Sequence, residues 1–336
     1  MKKLERAKVF NMVKGIQTSN GKAFEYACVD AIYRRLSCDQ EVVIEDTPQL
    51  RTAKEFFDRA PETLKDNIIK AADAASRVII RLEPQLTFPE DNSPLFLSLQ
   101  TDAMGQMGDV RDVLCIRKQN GWEIGFSCKH NHHAVKHSRL SGTIDFGKEW
   151  FDIPCSYEYF IEVRRLFDEL GTMRKTSKVR EKPILWSEVE DKAEKYYKPV
   201  LNAFMAELMR LDRENPNVIP ERLVRYLIGR KDFYKVIADE KRSFTRVEAV
   251  NINGTLNQKS GVHNPLIKVP VLKLPNQFYH IGYKPGSDNT IQIVCNEGWE
   301  ISMRIHSASS KVEPSLKFDV NLISLPSSIY AQVEPW

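Results

Sequence analysis

Asn120-Gly121 constrains the fold of this 336-residue chain more than any other pair. It separates two apolar, strand-like runs, "DVLCIRK" at 112–118 and "WEIGFSCK" at 122–129. Asn-Gly between such runs marks a β-hairpin, because a type I′ turn needs positive φ at both central residues. A two-residue turn also sets the register. Gln119 then faces Trp122, Lys118 faces Glu123, Ile116 faces Gly125, Leu114 faces Ser127, and Asp112 faces Lys129. Opposed residues share a face of the sheet, with Cβ atoms about 5 Å apart. The turn therefore predicts a carboxylate beside an ammonium, at the end of the hairpin far from the bend. Val113, Cys115, Phe126 and Cys128 go to the other face, where they suit a core.

An isolated cross-strand ion pair is worth only a few tenths of a kcal/mol and needs no function. The neighbours of this one argue for chemistry. The second strand runs into "HNHHAVKHSRLS" at 130–141, which holds Lys136, Arg139 and four of the chain's seven histidines, with little apolar material. Asp109 adds a second acid three residues before Asp112.

The rest of the chain supplies mixed elements. Residues 21–36 read as a helix entered at Asn20-Gly21, with Phe24, Ala27, Cys28, Ala31, Ile32 and Leu36 at helical spacing. "EVVIE" at 41–45 reads as a short strand, and 48–60 and 61–82 as helices, each opened by a proline. A turn-rich connector follows at 83–94. Residues 156–171 read as a helix capped by Ser156 and stopped by Gly171. A basic linker is expected at 171–186, helical patterns from about 187 to 238, and β texture from about 244, with Asn253-Gly254 as a second hairpin signal. The expected division is a core at 1–170, the linker, and a helical plus β-rich region at 187–336.

Hydrophobic residues at 42% and charged residues at 28% are globular values. A net charge of +4 permits a nucleic-acid partner without demanding one. Six cysteines without a C-x-x-C pair read as buried thiols in a reducing compartment. The basic N-terminus lacks the apolar run of a signal peptide, and no stretch approaches the ~20 apolar residues of a membrane span. A soluble cytoplasmic protein is expected.

An aspartate on one strand and an acid-x-lysine triplet on its antiparallel neighbour resemble the core of the PD-(D/E)xK nucleases. The longer words "SNGKAFEYA" at 19–27, "GDVRDVL" at 108–114 and "KHNHHAVKHSRLS" at 129–141 resemble the HaeIII-type restriction endonuclease family more narrowly, over at least residues 18–170. The resemblance implies an α/β (α+β) fold, with a mixed central sheet flanked by helices and a β-rich C-terminal half. It assigns Asp112 to a Mg²⁺ ion and Lys129 to the attacking water or the scissile phosphate. One position departs from the pattern. The triplet reads Ser127-Cys128-Lys129, so Ser127 stands where the family has its middle acid. Glu123, six residues from Lys129, lies about 20 Å away along a strand and is a poor substitute. Glu25 is the first candidate, because it shares a helix side with Cys28, Val29 and Ile32, where a lone carboxylate is costly unless paired or metal-bound. Asp109, Asp145 and Glu149 are alternatives.

Phosphodiester hydrolysis needs a cation to neutralise phosphoryl oxygens and activate water, and Mg²⁺ takes only one or two carboxylates. The i, i+4 spacing of His133 and His137 also admits a zinc reading, but no cysteine pair or glutamate sits at zinc-hydrolase spacing. His130, His132, Lys136, His137 and Arg139 are expected to contact DNA phosphates, as are Arg174, Lys175 and Lys178. Arg246, Lys259 and Lys268 are candidates for reading guanine. The resemblance thus implies a type II restriction endonuclease that cuts double-stranded DNA at the palindrome GGCC. Palindromy favours a homodimer, and the host should carry a cognate methyltransferase. A repair or structure-specific nuclease of the same fold, and a non-enzymatic DNA-binding protein, are the competing accounts.

Overall fold

The computed structural model describes residues 2–90, 93–101, 104, 108–130, 138–179 and 183–336, with the side chains of 2–17 and 177–179 outside the description. Two compact units interleave along the chain. Met1–His133, Gly229–Leu272 and Ser328–Trp336 form the first, and Ala134–Ile228 with Lys273–Ser327 form the second.

The first unit is built on a seven-stranded mixed sheet. Its strands are β1 (Val42–Ile44), β2 (Leu95–Leu99), β3 (Val113–Arg117), β4 (Trp122–His130), β6 (Phe233–Asp239), β7 (Phe244–Val250) and β12 (Tyr330–Pro335), side by side in that order. The β1–β2 and β4–β6 pairs are parallel, and the other neighbours are antiparallel. Helices α1 (Lys2–Leu36) and α3 (Glu62–Leu82) supply the core on one face. Phe24, Val29, Ile32, Ile68, Val78 and Ile79 pack there with Leu97, Val113, Ile124, Phe126, Val236 and Val247. Each such side chain contributes roughly 1.5–3 kcal/mol on burial. Helix α2 (Pro48–Arg59) starts as its sequence dictates, with Thr47 Oγ1 accepting from Leu50 N at 3.1 Å and proline in the first turn. The second unit carries a five-stranded antiparallel sheet, ordered β5 (Arg139–Ser141), β11 (Ser315–Ser324), β10 (Glu300–Ser307), β9 (Thr290–Cys295) and β8 (Phe278–Tyr283). Its helices include Tyr157–Val179, Lys198–Glu214 and Ile219–Ile228.

Five expectations need correction. Asn20-Gly21 does not open a helix, since α1 runs through it from Lys2. Gly171 does not stop one, and the expected linker is helical to Val179. A Cβ at Gly171 would meet nothing closer than Pro314 at 3.8 Å, so the glycine answers no steric demand there. Residues 233–239, read as the tail of a helical region, form strand β6. They are buried from Phe233 to Ala238, and a continuously buried strand shows no alternation by which to recognise it. Asn253-Gly254 does not join two strands. Asp232 instead accepts hydrogen bonds from the backbone N–H groups of Ile252, Asn253 and Thr255, and the chain continues irregularly to Leu272. Of the six free cysteines, Cys38 is exposed and Cys155 half-buried; the other four are buried as expected.

The fifth correction concerns the hairpin. It forms, but with Arg117 opposite Trp122 and Val113 opposite Phe126. The loop is therefore Lys118–Gly121, four residues and not two. Asn120 explains this: its Oδ1 accepts from Trp122 N at 3.0 Å, and Gly121 alone takes positive φ, +69°. A type I′ turn would have needed both residues there. The slip is two residues. A one-residue slip exchanges the faces of a strand, whereas a two-residue slip preserves them. Asp112 consequently stays on the same side as Ser127 and Lys129.

Candidate active site

Asp112 lies at the entrance to β3, and its backbone N–H donates to Phe126 O at 2.7 Å. Its Oδ2 accepts from the Cys128 backbone N–H at 2.7 Å. That bond directs the carboxylate along β4 toward Lys129, whose Nζ lies 3.5 Å from the same oxygen. Side-chain exposures of 26% for Lys129 and 24% for Asp112 leave both groups reachable. Ser127, two residues before Lys129 on the same face of β4, is buried. Cys128 turns to the core face, where its thiol interacts with Cys28; that contact and burial hold it well above the usual thiol range.

The third group comes from α1. Glu25 is buried, and Lys22, one helical turn earlier, reaches its Oε2 at 2.9 Å. Burial pushes the Glu25 carboxyl up to about 7, with the charge of Asp112 adding to the rise. Lys22 and Lys129 oppose it. Glu25, Asp112 and Lys129 therefore share one electrostatic environment, although they come from a helix and two strands.

The residues fit a hard divalent cation. Two carboxylates that repel one another are relieved by such an ion, and Mg²⁺ asks for only one or two protein oxygens. The nearby Cys128 thiol is held above the usual thiol range on the core face, which does not favour it as a soft ligand.

Asp109 is committed elsewhere. Arg111 Nε and Nη2 meet its two oxygens at 2.8 and 2.6 Å, and Gln100 Nε2 donates to it at 2.9 Å. Arg111 Nη1 also reaches Glu123 Oε1 at 2.6 Å. Burial works to raise the Asp109 pKa, but Arg111 overrides it and holds the carboxyl below the usual range. A carboxylate filled this way serves its arginine, and its assignment as a metal ligand gives way. Asp145 and Glu149 belong to the second unit, where Asp145 Oδ1 caps the helix Phe146–Phe151 through Lys148 N at 2.9 Å.

The expected phosphate contacts divide in four. His130 is buried on the core face, 3.1 Å from Glu240 and beside Phe24. Arg174 is paired with Glu313 within the second unit. Arg139 and Lys175 are exposed. His132, Lys136 and His137 lie outside the described residues, as does the side chain of Lys178. Among the base-reading candidates, Arg246 pairs with Glu248 at 2.7 Å, and Lys259 and Lys268 are exposed.

Sequence reasoning missed three groups: Lys22 as partner of Glu25, Arg111 as the keeper of Asp109, and Lys235 on β6. Lys22 and Glu25 are three residues apart on a helix, a spacing that brings side chains together. Lys235 was signalled only by being the one charge in "FYKVIA", a signal lost with the strand.

The HaeIII restriction endonuclease family model matches residues 21–326. The chain belongs to the HaeIII restriction endonuclease family. It is 37% identical over 317 residues to the type II restriction enzyme HaeIII of Haemophilus aegyptius, covering 94% of this chain and 97% of that relative. No solved structure matches it. As a HaeIII family member the chain is a site-specific type II endonuclease acting on DNA, which leaves no room for the non-enzymatic account. No described helix is long and apolar enough to cross a membrane.

Proposed function

We propose that the chain hydrolyses phosphodiester bonds of double-stranded DNA at the palindrome GGCC, with Mg²⁺ held by Asp112 and Glu25. The observation that carries this reading is the 3.5 Å approach of Lys129 to Asp112 with Glu25 in the same field, within a HaeIII family chain. When bound, the metal neutralises phosphoryl oxygen charge and acidifies water. Asp112, held by Cys128 N–H, and Glu25, restrained by Lys22, present two fixed carboxylate oxygens to it. Lys129 sits beside them, where its ammonium orients the attacking water and stabilises charge that develops on the scissile phosphate. Ser127, on β4 where the family has its middle acid, adds no carboxylate to the two. No covalent intermediate is required, because positioning and electrostatics supply the rate.

In this reading the enzyme acts as a two-fold dimer on its palindrome, in the cytoplasm of a host that protects the same site by methylation. Digestion of a defined plasmid with Mg²⁺, followed by sequencing of the ends, tests it. Discrete fragments with ends in GGCC are expected. A smear, cutting confined to branched DNA, or cutting equally fast in EDTA contradicts the proposal.

A further inference from the structure

Strand β6 lies beside β4 in parallel, with Ser127 opposite Lys235 and Lys129 opposite Ile237. On its other side, Lys235 faces Glu248 and Ile237 faces Arg246 of β7. Register partners point to the same side of a sheet. Lys235 therefore stands on the face of Ser127 and Lys129, one strand away from them, while Tyr234, Val236 and Ala238 turn into the core. Its exposure is 9%. Among the described residues, no carboxylate or carbonyl lies within ion-pair or hydrogen-bond distance of its ammonium. The neighbouring acid, Glu248, is drawn instead to Arg246.

This is an expensive arrangement. Holding an unpaired ammonium in so enclosed a position is costly, because the surrounding burial disfavours its charged form. The surrounding strand is Phe233, Tyr234, Val236, Ile237 and Ala238, all buried, so nothing in the packing asks for a lysine. Lys129 and Arg246 add repulsion. Burial, with these two cations, holds the Lys235 ammonium below the usual lysine range, and Glu248 only partly offsets them. The acids of this face, Asp112 and Glu248, are engaged by Lys129 and Arg246, and the further anion that this site handles is a DNA phosphate.

We propose that Lys235 is a second phosphate-binding cation of the site, receiving a backbone phosphate of the strand being cut, beside the phosphate that Lys129 serves. This rests on the reading of Asp112, Glu25 and Lys129 given above. It separates two tasks: Lys129 acts in the chemical step, while Lys235 contributes to holding the substrate. A charge-assisted hydrogen bond to phosphate is worth roughly a tenfold or greater change in affinity.

The test is Lys235→Met, which keeps length and removes charge. A short GGCC-containing duplex is titrated in EDTA by fluorescence anisotropy over a range of salt, and thermal unfolding is measured on the same samples. The expected result is a Tm equal to or above the parent's, roughly tenfold weaker binding, and a log–log salt slope shallower by about one. Lys235→Arg should restore the slope. Unchanged affinity and slope overturn the proposal, as does a lowered Tm with binding intact, which would make the lysine structural. Lys129→Ala is run in parallel. If it still cuts DNA, the reading of the site fails; if it is inactive and Lys235→Met binds like the parent, only the present inference fails.

Discussion

Glu25→Gln is the most informative substitution, because the structure gives its effect on stability and activity opposite signs. The Glu25 carboxyl is raised from 4.5 to about 7 by burial and by Asp112. A raised acid favours the fold when protonated, so its contribution is fully present below the unfolded value and is lost as pH rises through about 7. One pKa unit corresponds to about 1.36 kcal/mol, so the ionised carboxylate costs the metal-free fold about 3 kcal/mol above pH 7. Glutamine keeps the shape and cannot ionise. In urea unfolding with EDTA, the variant should match the parent near pH 4 and exceed it by about 3 kcal/mol near pH 8. Mg²⁺ should then close most of this gap, since an ion at about a hundred times its Kd stabilises the parent by about 2.7 kcal/mol and finds one ligand fewer in the variant. Cleavage should be lost at every pH. A variant less stable than the parent in EDTA at pH 8, or one equally stabilised by Mg²⁺, would refute the assignment of Glu25.

Two further substitutions probe the supports of the site. Gly125→Ala would drive a Cβ into Arg111 Cδ and bring it within 2.9 Å of that side chain's Cβ and Cγ. Arg111 must then leave Asp109 and Glu123, and chemical unfolding should show a loss of about 3 kcal/mol or more; an unchanged midpoint would mean that the triad carries no energy. Glu83→Gln addresses a second buried acid, whose carboxyl burial pushes up to about 7 while Tyr234 OH and Asn257 N–H donate to it at 2.6 and 2.7 Å. With the same sign as Glu25, the variant should flatten the decline of stability between pH 5 and 8 and leave cleavage intact, which a pH series of melts with a parallel digest decides.

Much of the site was legible because its cues are local. The apolar runs around Asn120-Gly121 announced a hairpin, and Glu25 betrayed itself by lying on the apolar side of its helix. The register came out two residues wrong because Asn120 bonds to Trp122 N and stays out of positive φ, a choice that composition does not disclose. The error was harmless to the Asp112–Lys129 pair only because side chains alternate with period two. Strand β6 was illegible for a different reason. Buried on both faces, it has no alternation, and the break at Gly229 that ends the helix before it was overlooked, so Lys235 was lost with it. The interleaving of the units was equally hidden. Strand β12, from the last residues of the chain, closes the edge of a sheet begun by β1, and no short-range pattern encodes a pairing of that separation. The commitment of Asp109 to Arg111, two residues away, was local, yet it was overlooked because an acid near a site invites assignment to the metal.

The central claim is that Lys129, beside Asp112, acts in the chemical step of DNA cleavage, and the direct measurement is single-turnover cleavage by Lys129→Ala with binding of the same duplex measured in EDTA. The account predicts a folded variant that binds DNA within about twofold of the parent and cuts it at least roughly a hundredfold more slowly. Cleavage at the parental rate, or loss of DNA binding in step with loss of cutting, would contradict it.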